Sequence, residues 1–142
     1  MHDLADVLAI QDLVARWCHA INSADFRSAA ALFTDDGVWA PPGSEARGPA
    51  AIAALLDQLV GPLEVLVQFA TNPVISVDGD RATGRWQVQE IGRSTDGKTV
   101  NIVGTYDDRL VRTDGSWRFA ERRFRLLMFA THPADAMVRP FG

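Results

Sequence analysis

Apolar residues return every three or four positions along the first part of the chain. Leu4, Val7, Leu8, Ile10, Leu13, Val14, Trp17 and Ile21 share one broad face, which predicts a helix over residues 3–21 with Asp3 placed to cap it. Asn22 and Ser23 end that pattern. Asp25 then opens a short second helix whose apolar face is Phe26, Ala29, Ala30, Leu32 and Phe33. Residues 34–37 (T-D-D-G) read as a turn, and residues 38–40 as a short strand stopped by Pro41-Pro42-Gly43. The Gly- and Pro-rich residues 41–49 read as a mobile loop. A third helix is expected over residues 49–59, with Pro49 in its first turn and Gly61-Pro62 closing it.

From residue 63 the period falls to two. Four alternating runs, over residues 64–77, 81–93, 99–112 and 117–130, are separated by Asp78-Gly79, Asp96-Gly97 and Asp114-Gly115. Aspartate-glycine joins between alternating runs predict an antiparallel meander. The first run should bend at Asn72-Pro73, because proline has no N–H for the ladder. Helices first and strands afterwards predict an α+β fold, the helices packed on one concave face of the sheet. The open face is expected to pair two copies of the chain. Residues 131–142 read as a tail that could lie over the open end.

The second run carries the chemistry. In T-G-R-W-Q-V-Q-E-I, alternation puts Trp86, Val88 and Glu90 on one side and Arg85, Gln87 and Gln89 on the other. A carboxylate on an apolar face is paired, protonated or put to use.

Composition narrows the classes. A chain of 142 residues, 47% of them hydrophobic, is enough for one domain with its own core. A net charge of −4 argues against a nucleic-acid surface; Arg118, Arg122, Arg123 and Arg125 alternate sides of one strand and form no single patch. The one cysteine, Cys18, allows no internal disulfide, and no Cys/His spacing suits zinc. No basic leader precedes an apolar run and no run reaches membrane-spanning length, so a soluble cytoplasmic location is the expectation, without membrane partners.

Several stretches resemble the SnoaL-like branch of the nuclear transport factor 2-like superfamily. They are I-Q-D-L in the first helix, F-T-D-D-G-V-W after the second, T-N-P-V-I with V-D-G-D-R-A-T, then G-T-Y-D-D-R-L and D-G-S-W-R-F-A-E-R-R. The likeness spans residues 3–129, and relatives include polyketide cyclases, scytalone dehydratase, steroid delta-isomerase and lindane dehydrochlorinase. It implies one SnoaL-like domain over residues 1–142. It also implies a cone-shaped barrel, its curved antiparallel sheet wrapped around the N-terminal helices. Inside would be a deep apolar pocket, usually without metal or organic cofactor, in a homodimer or homotrimer. In the dehydratase and dehydrochlorinase relatives a His/Asp pair acts as base. Here those positions hold Asn22 and Gln68, neither of which titrates near neutrality. The resemblance also places Trp39 and Arg122 in the pocket.

The candidates follow from face and type. Glu90 is expected to be a general acid or base, or else a structural ion pair with Arg122. Asp108, on the face of Tyr106 and Leu110 and beside the Arg122 region, is a second acid/base candidate or the partner of Arg122. Asn22, Gln68 and Tyr106 would hold a substrate oxygen as neutral donors. Trp17, Trp39 and Trp86, with Phe69 and Leu126, would wall the cavity against an apolar, aromatic or polycyclic ligand. Asp25 reads as a helix cap and His19 as solvent-facing. The expectation is an isomerase, dehydratase or cyclase working by proton transfer. The alternatives are a ligand-binding protein that has lost the dyad, and an epoxide hydrolase in which Glu90, Arg122 and Asp108 imitate an Asp-Arg-Asp set.

Overall fold

Six strands curl around the first helix. A computed structural model describes residues 4–133 and 137–138. In chain order the elements are α1 (Leu4–Asn22), α2 (Phe26–Ala30), β1 (Phe33–Ala40), β2 (Ala46–Arg47), α3 (Pro49–Leu59), β3 (Leu63–Asp78), β4 (Arg81–Ser94), β5 (Lys98–Thr113) and β6 (Ser116–Pro133). The sheet order is β2-β1-β6-β5-β4-β3. Strands β3 to β6 form the expected antiparallel meander. The last hairpin turns through Asp114 and Gly115, both at positive φ, the conformation a two-residue connection requires.

The core lies between α1 and the concave face. Ile10, Leu13, Val14, Trp17 and Ile21 are buried against Trp86, Val88, Leu110 and Phe119 of the sheet. The stripe on α1 is narrower than its spacing suggests, since Leu4 and Leu8 are 70% and 55% exposed. Asp25 caps α2, its carboxylate accepting from the Ser28 N–H and hydroxyl. Helix α3 spans the expected residues and buries Ile52 and Leu56.

Some local expectations are overturned. Residues 34–37 are not a turn but the start of β1, which runs parallel to β6 with a register jump between Phe33 and Val38. Gly37 passes so close to Phe33 and to the Phe119 carbonyl that a Cβ would lie 2.9 Å and 3.0 Å from them, which favours glycine in this irregular stretch. The expected loop over residues 41–49 contains β2, paired with β1. The expected tail begins too early, because β6 continues to Pro133 against Lys98. Apart from residues 137–138 the rest of that tail lies outside the described residues, as does the Asp3 cap.

Two bulges set the inner face. Counted residue for residue from the β3–β4 hairpin, Gln68 would oppose Ile91 and face outward. The register shift between Thr71 and Val74, at the predicted Asn72-Pro73 bend, sets it opposite Glu90 instead. Counted from the β5–β6 hairpin, Asp108 would oppose Glu121; one extra residue at Ala120 sets it opposite Arg122. A single inserted residue exchanges the two faces of everything beyond it.

Candidate functional site

At one end of the inner face a charge pair is sealed. Arg122 on β6 donates to Asp108 on β5 from Nε at 2.8 Å and from Nη2 at 3.1 Å, and both side chains are 0% exposed. The guanidinium lies 3.9 Å from the ring centre of Tyr106 and 4.4 Å from that of Phe119, with Trp17 at 5.2 Å. Stacked rings and a two-pronged carboxylate suit a planar, delocalised cation. Burial pushes the Asp108 carboxyl up from its ordinary value while the Arg122 charge and hydrogen bonds oppose the rise. The Trp86 indole adds some stabilisation to that carboxylate, but its N–H does not reach hydrogen-bonding geometry. Arg122 Nη1 likewise finds no acceptor among the described residues.

Toward the other end the second carboxylate meets no cation among the described residues. Glu90 Oε1 accepts from Gln68 Nε2, across the directly opposed pair of β3 and β4. Gln68 Oε1 accepts from the Trp17 indole N–H at 2.7 Å and more weakly from the Cys18 thiol at 3.7 Å. The Gln68 backbone N–H donates to Asn22 Oδ1 at 2.7 Å, tying β3 to the last turn of α1. Burial raises the Glu90 carboxyl above the usual range, and the Gln68 hydrogen bond only partly offsets this. The expected alternative of a Glu90–Arg122 ion pair is therefore corrected: Gln68 stands opposite Glu90, and Arg122 is spent on Asp108. The Glu90, Arg122, Asp108 set of an epoxide hydrolase is not assembled either.

Between the two ends stands Tyr106, whose hydroxyl accepts from the Trp39 indole N–H at 3.0 Å. No acceptor for its own proton is found among the described residues. Burial raises its phenol, and the Glu90 charge adds to that effect, as it does at the Cys18 thiol, so these groups lie within electrostatic reach of one another. Phe124 packs edge-on against Tyr106 at 5.1 Å, a place it can take because residue 104 is glycine; a Cβ there would stand 2.5 Å from the Phe124 ring.

Trp17, Trp39 and Trp86 are all buried and packed into the core. The inner face opens instead along the row of Glu90, Ile102 and Phe129, where Glu90 and Ile102 are half-buried and Leu126 and Phe129 are 43% and 57% exposed. Phe69 does not join that wall; alternating with the inward Gln68 and Ala70, it faces out and is 50% exposed. It borders a groove of about 420 Å³ between α1 and β3, which Cys18, Gln68 and Trp86 also line, with exposed His19 on the same groove. Sequence reasoning missed Cys18 as a donor to Gln68 and Phe124 as the cover on Tyr106. The neighbouring Trp17 and the glycine two residues before Tyr106, Gly104, were the available signals. Among the described residues no His/Cys/Asp/Glu group could hold a metal ion, and no helix is long and apolar enough to cross a membrane.

The sequence profile described as the SnoaL-like domain matches residues 2–123. The chain is 27% identical over 123 residues to gamma-hexachlorocyclohexane dehydrochlorinase of Sphingobium indicum, covering 84% of this chain and 79% of that protein. Its fold superposes on the crystal structure of LinA with a TM-score of 0.88 and 25% identity, covering 96% of each chain. A putative scytalone dehydratase from Novosphingobium aromaticivorans gives a TM-score of 0.82 with 26% identity, covering 96% of this chain and 91% of that one.

Proposed function

We propose that this chain, which belongs to the SnoaL-like domain family, is a lyase or isomerase of the dehydratase type, with Glu90 as its proton-transfer group. The single observation that carries the reading is that Glu90 lies on the inner face beside half-exposed Leu126 and Phe129 and is held by a neutral amide, with no cation among the described residues. A carboxylate raised by burial and open on one side suits proton exchange with carbon beside an electron-withdrawing group. Tyr106, with its own proton unspent, is the donor that would meet developing negative charge. Asn22 holds the Gln68 backbone and Gln68 supports Glu90. Asp108 anchors Arg122, and the three tryptophans shape the floor of the site.

The substrate is a small, neutral, apolar molecule, aromatic or polycyclic in the simplest case. The dehydrochlorinase and dehydratase names of the relatives support elimination over hydrolysis. The outer face carries half-exposed Phe69, Ile91 and Met128, and this surface pairs with further copies in a homodimer or homotrimer; a monomer by light scattering at micromolar concentration would overturn that assembly.

The test is conversion of a panel of neutral cyclic ketones, β-hydroxy ketones and chlorinated cycloalkanes, followed by mass spectrometry with binding followed by tryptophan fluorescence. The expected outcome is turnover that falls by about 10²–10⁴-fold in Glu90→Gln while binding persists. Ligands that bind and are never converted would instead favour a carrier built on this fold, the reading that the neutral Asn22 and Gln68 support.

A further inference from the structure

Resting on the reading of Glu90 as the proton-transfer group, we infer that Trp17 is a positioning residue: through the Gln68 amide it fixes which oxygen of Glu90 carries the exchangeable proton. An indole N–H can only donate. The end of the Gln68 amide that meets Trp17 Nε1 at 2.7 Å must therefore be the carbonyl oxygen, and the Cys18 thiol, placed to donate to the same atom, reinforces that choice. The Asn22 side chain holds the Gln68 backbone, so the strand cannot slide to relieve the constraint. With its oxygen committed, the amide presents Nε2, again a donor only, to Glu90 Oε1. Oε1 must then be a bare acceptor in both states of the carboxyl group. When Glu90 takes up a proton, it sits on Oε2; when Glu90 acts as base, the Oε2 lone pair is the one offered.

Freed from Trp17, the Gln68 amide could turn over and accept a proton from Oε1, and the acid would then bury its proton against its neighbour. A glutamine that merely filled space would impose no such order. Among the described residues, the other titratable or charged groups on this inner face are Cys18 of α1, Tyr106 and Asp108 of β5, and Arg122 of β6. Of these, Asp108 and Arg122 are bonded to each other.

The experiment is a carbon NMR titration of the Glu90 carboxyl in protein carrying labelled glutamate, its signal assigned by its loss in Glu90→Gln. The indole N–H of Trp17 is followed in the same samples. In the wild type the Trp17 indole signal should move with the Glu90 midpoint. In Gln68→Met that linkage should vanish and the proton affinity of Glu90 should rise about tenfold, because a donor to its charged form is gone. Trp17→Phe, if it folds, should raise the affinity by less, and restoring no more than the aromatic volume should not rescue it. A Trp17 signal indifferent to the Glu90 titration, or a Glu90 midpoint unmoved in Gln68→Met, would overturn the inference. These readouts need no substrate. Failure of the relay with turnover still dependent on Glu90 would leave the proposed activity standing; an intact relay without turnover would leave the relay and remove the activity.

Discussion

Asp108 and Glu90 leave neighbouring strands toward the same interior, yet the protein treats them oppositely. Asp108 is enclosed and gripped by two nitrogens of Arg122, whose guanidinium is covered by aromatic rings. Glu90 is only half-buried and, among the described residues, has a single neutral donor, the Gln68 amide. Burial pushes both carboxyls up, but only Asp108 has a full charge opposing it. The contrast teaches that a carboxylate on an apolar face is defined by its partner rather than by its depth. A sealed pair holds the sheet and its rings together, whereas a carboxylate on an amide has no full charge to balance its own.

The largest expected effect breaks the sealed end. Arg122→Met leaves Asp108 buried without a cation and should cost about 3–5 kcal/mol in urea denaturation. Pairing it with Asp108→Leu should recover most of that loss, because two apolar side chains no longer carry an unmatched charge. A double variant as unstable as the single one would show that the pair contributes more than mutual neutralisation.

Next in size is Tyr106→Phe. It removes the acceptor of the buried Trp39 N–H, which should cost about 1–3 kcal/mol, and, on the proposed function, a donor to the substrate. Slower conversion with Glu90's pH dependence retained would keep the two roles apart; an unchanged rate would remove Tyr106 from the site. Smallest is Asp25→Ala. The Asp25 carboxyl is held below its ordinary value by hydrogen bonds from Ser28, and its loss should lower the thermal midpoint by a few degrees and leave conversion untouched. A large loss of activity would make Asp25 more than a cap.

Much of this was legible locally. The hairpin turns, the α3 boundaries, the Asp25 cap and the inward face of Glu90 follow from spacing and turn residues alone. The partners of the two carboxylates were harder. Gln68 meets Glu90 only because β3 bulges near Asn72-Pro73, and Arg122 meets Asp108 only because Ala120 is inserted in β6. Alternation read along one strand cannot reveal a parity change that depends on the strand beside it. The same limit hid β1. Its T-D-D-G segment carries turn residues, yet pairing with β6 holds it extended, tertiary context outweighing local preference. The family resemblance marked positions 22 and 68 as a pair, and the structure joins them, but as support for Glu90 on the next strand.

The most direct test of the central claim, that Glu90 is the unmatched carboxylate, is unfolding stability against pH in wild type and Glu90→Gln. A carboxyl raised in the folded state contributes most below its ordinary value, where both states are protonated. Its contribution declines as pH rises from that ordinary value through the raised one, because only the unfolded chain ionises freely. Glu90→Gln should therefore gain stability relative to wild type as pH rises from the ordinary glutamate range through the raised one. A difference that stays flat, or a variant that loses ground as pH rises, would mean that Glu90 is held as a matched charge and would contradict the account.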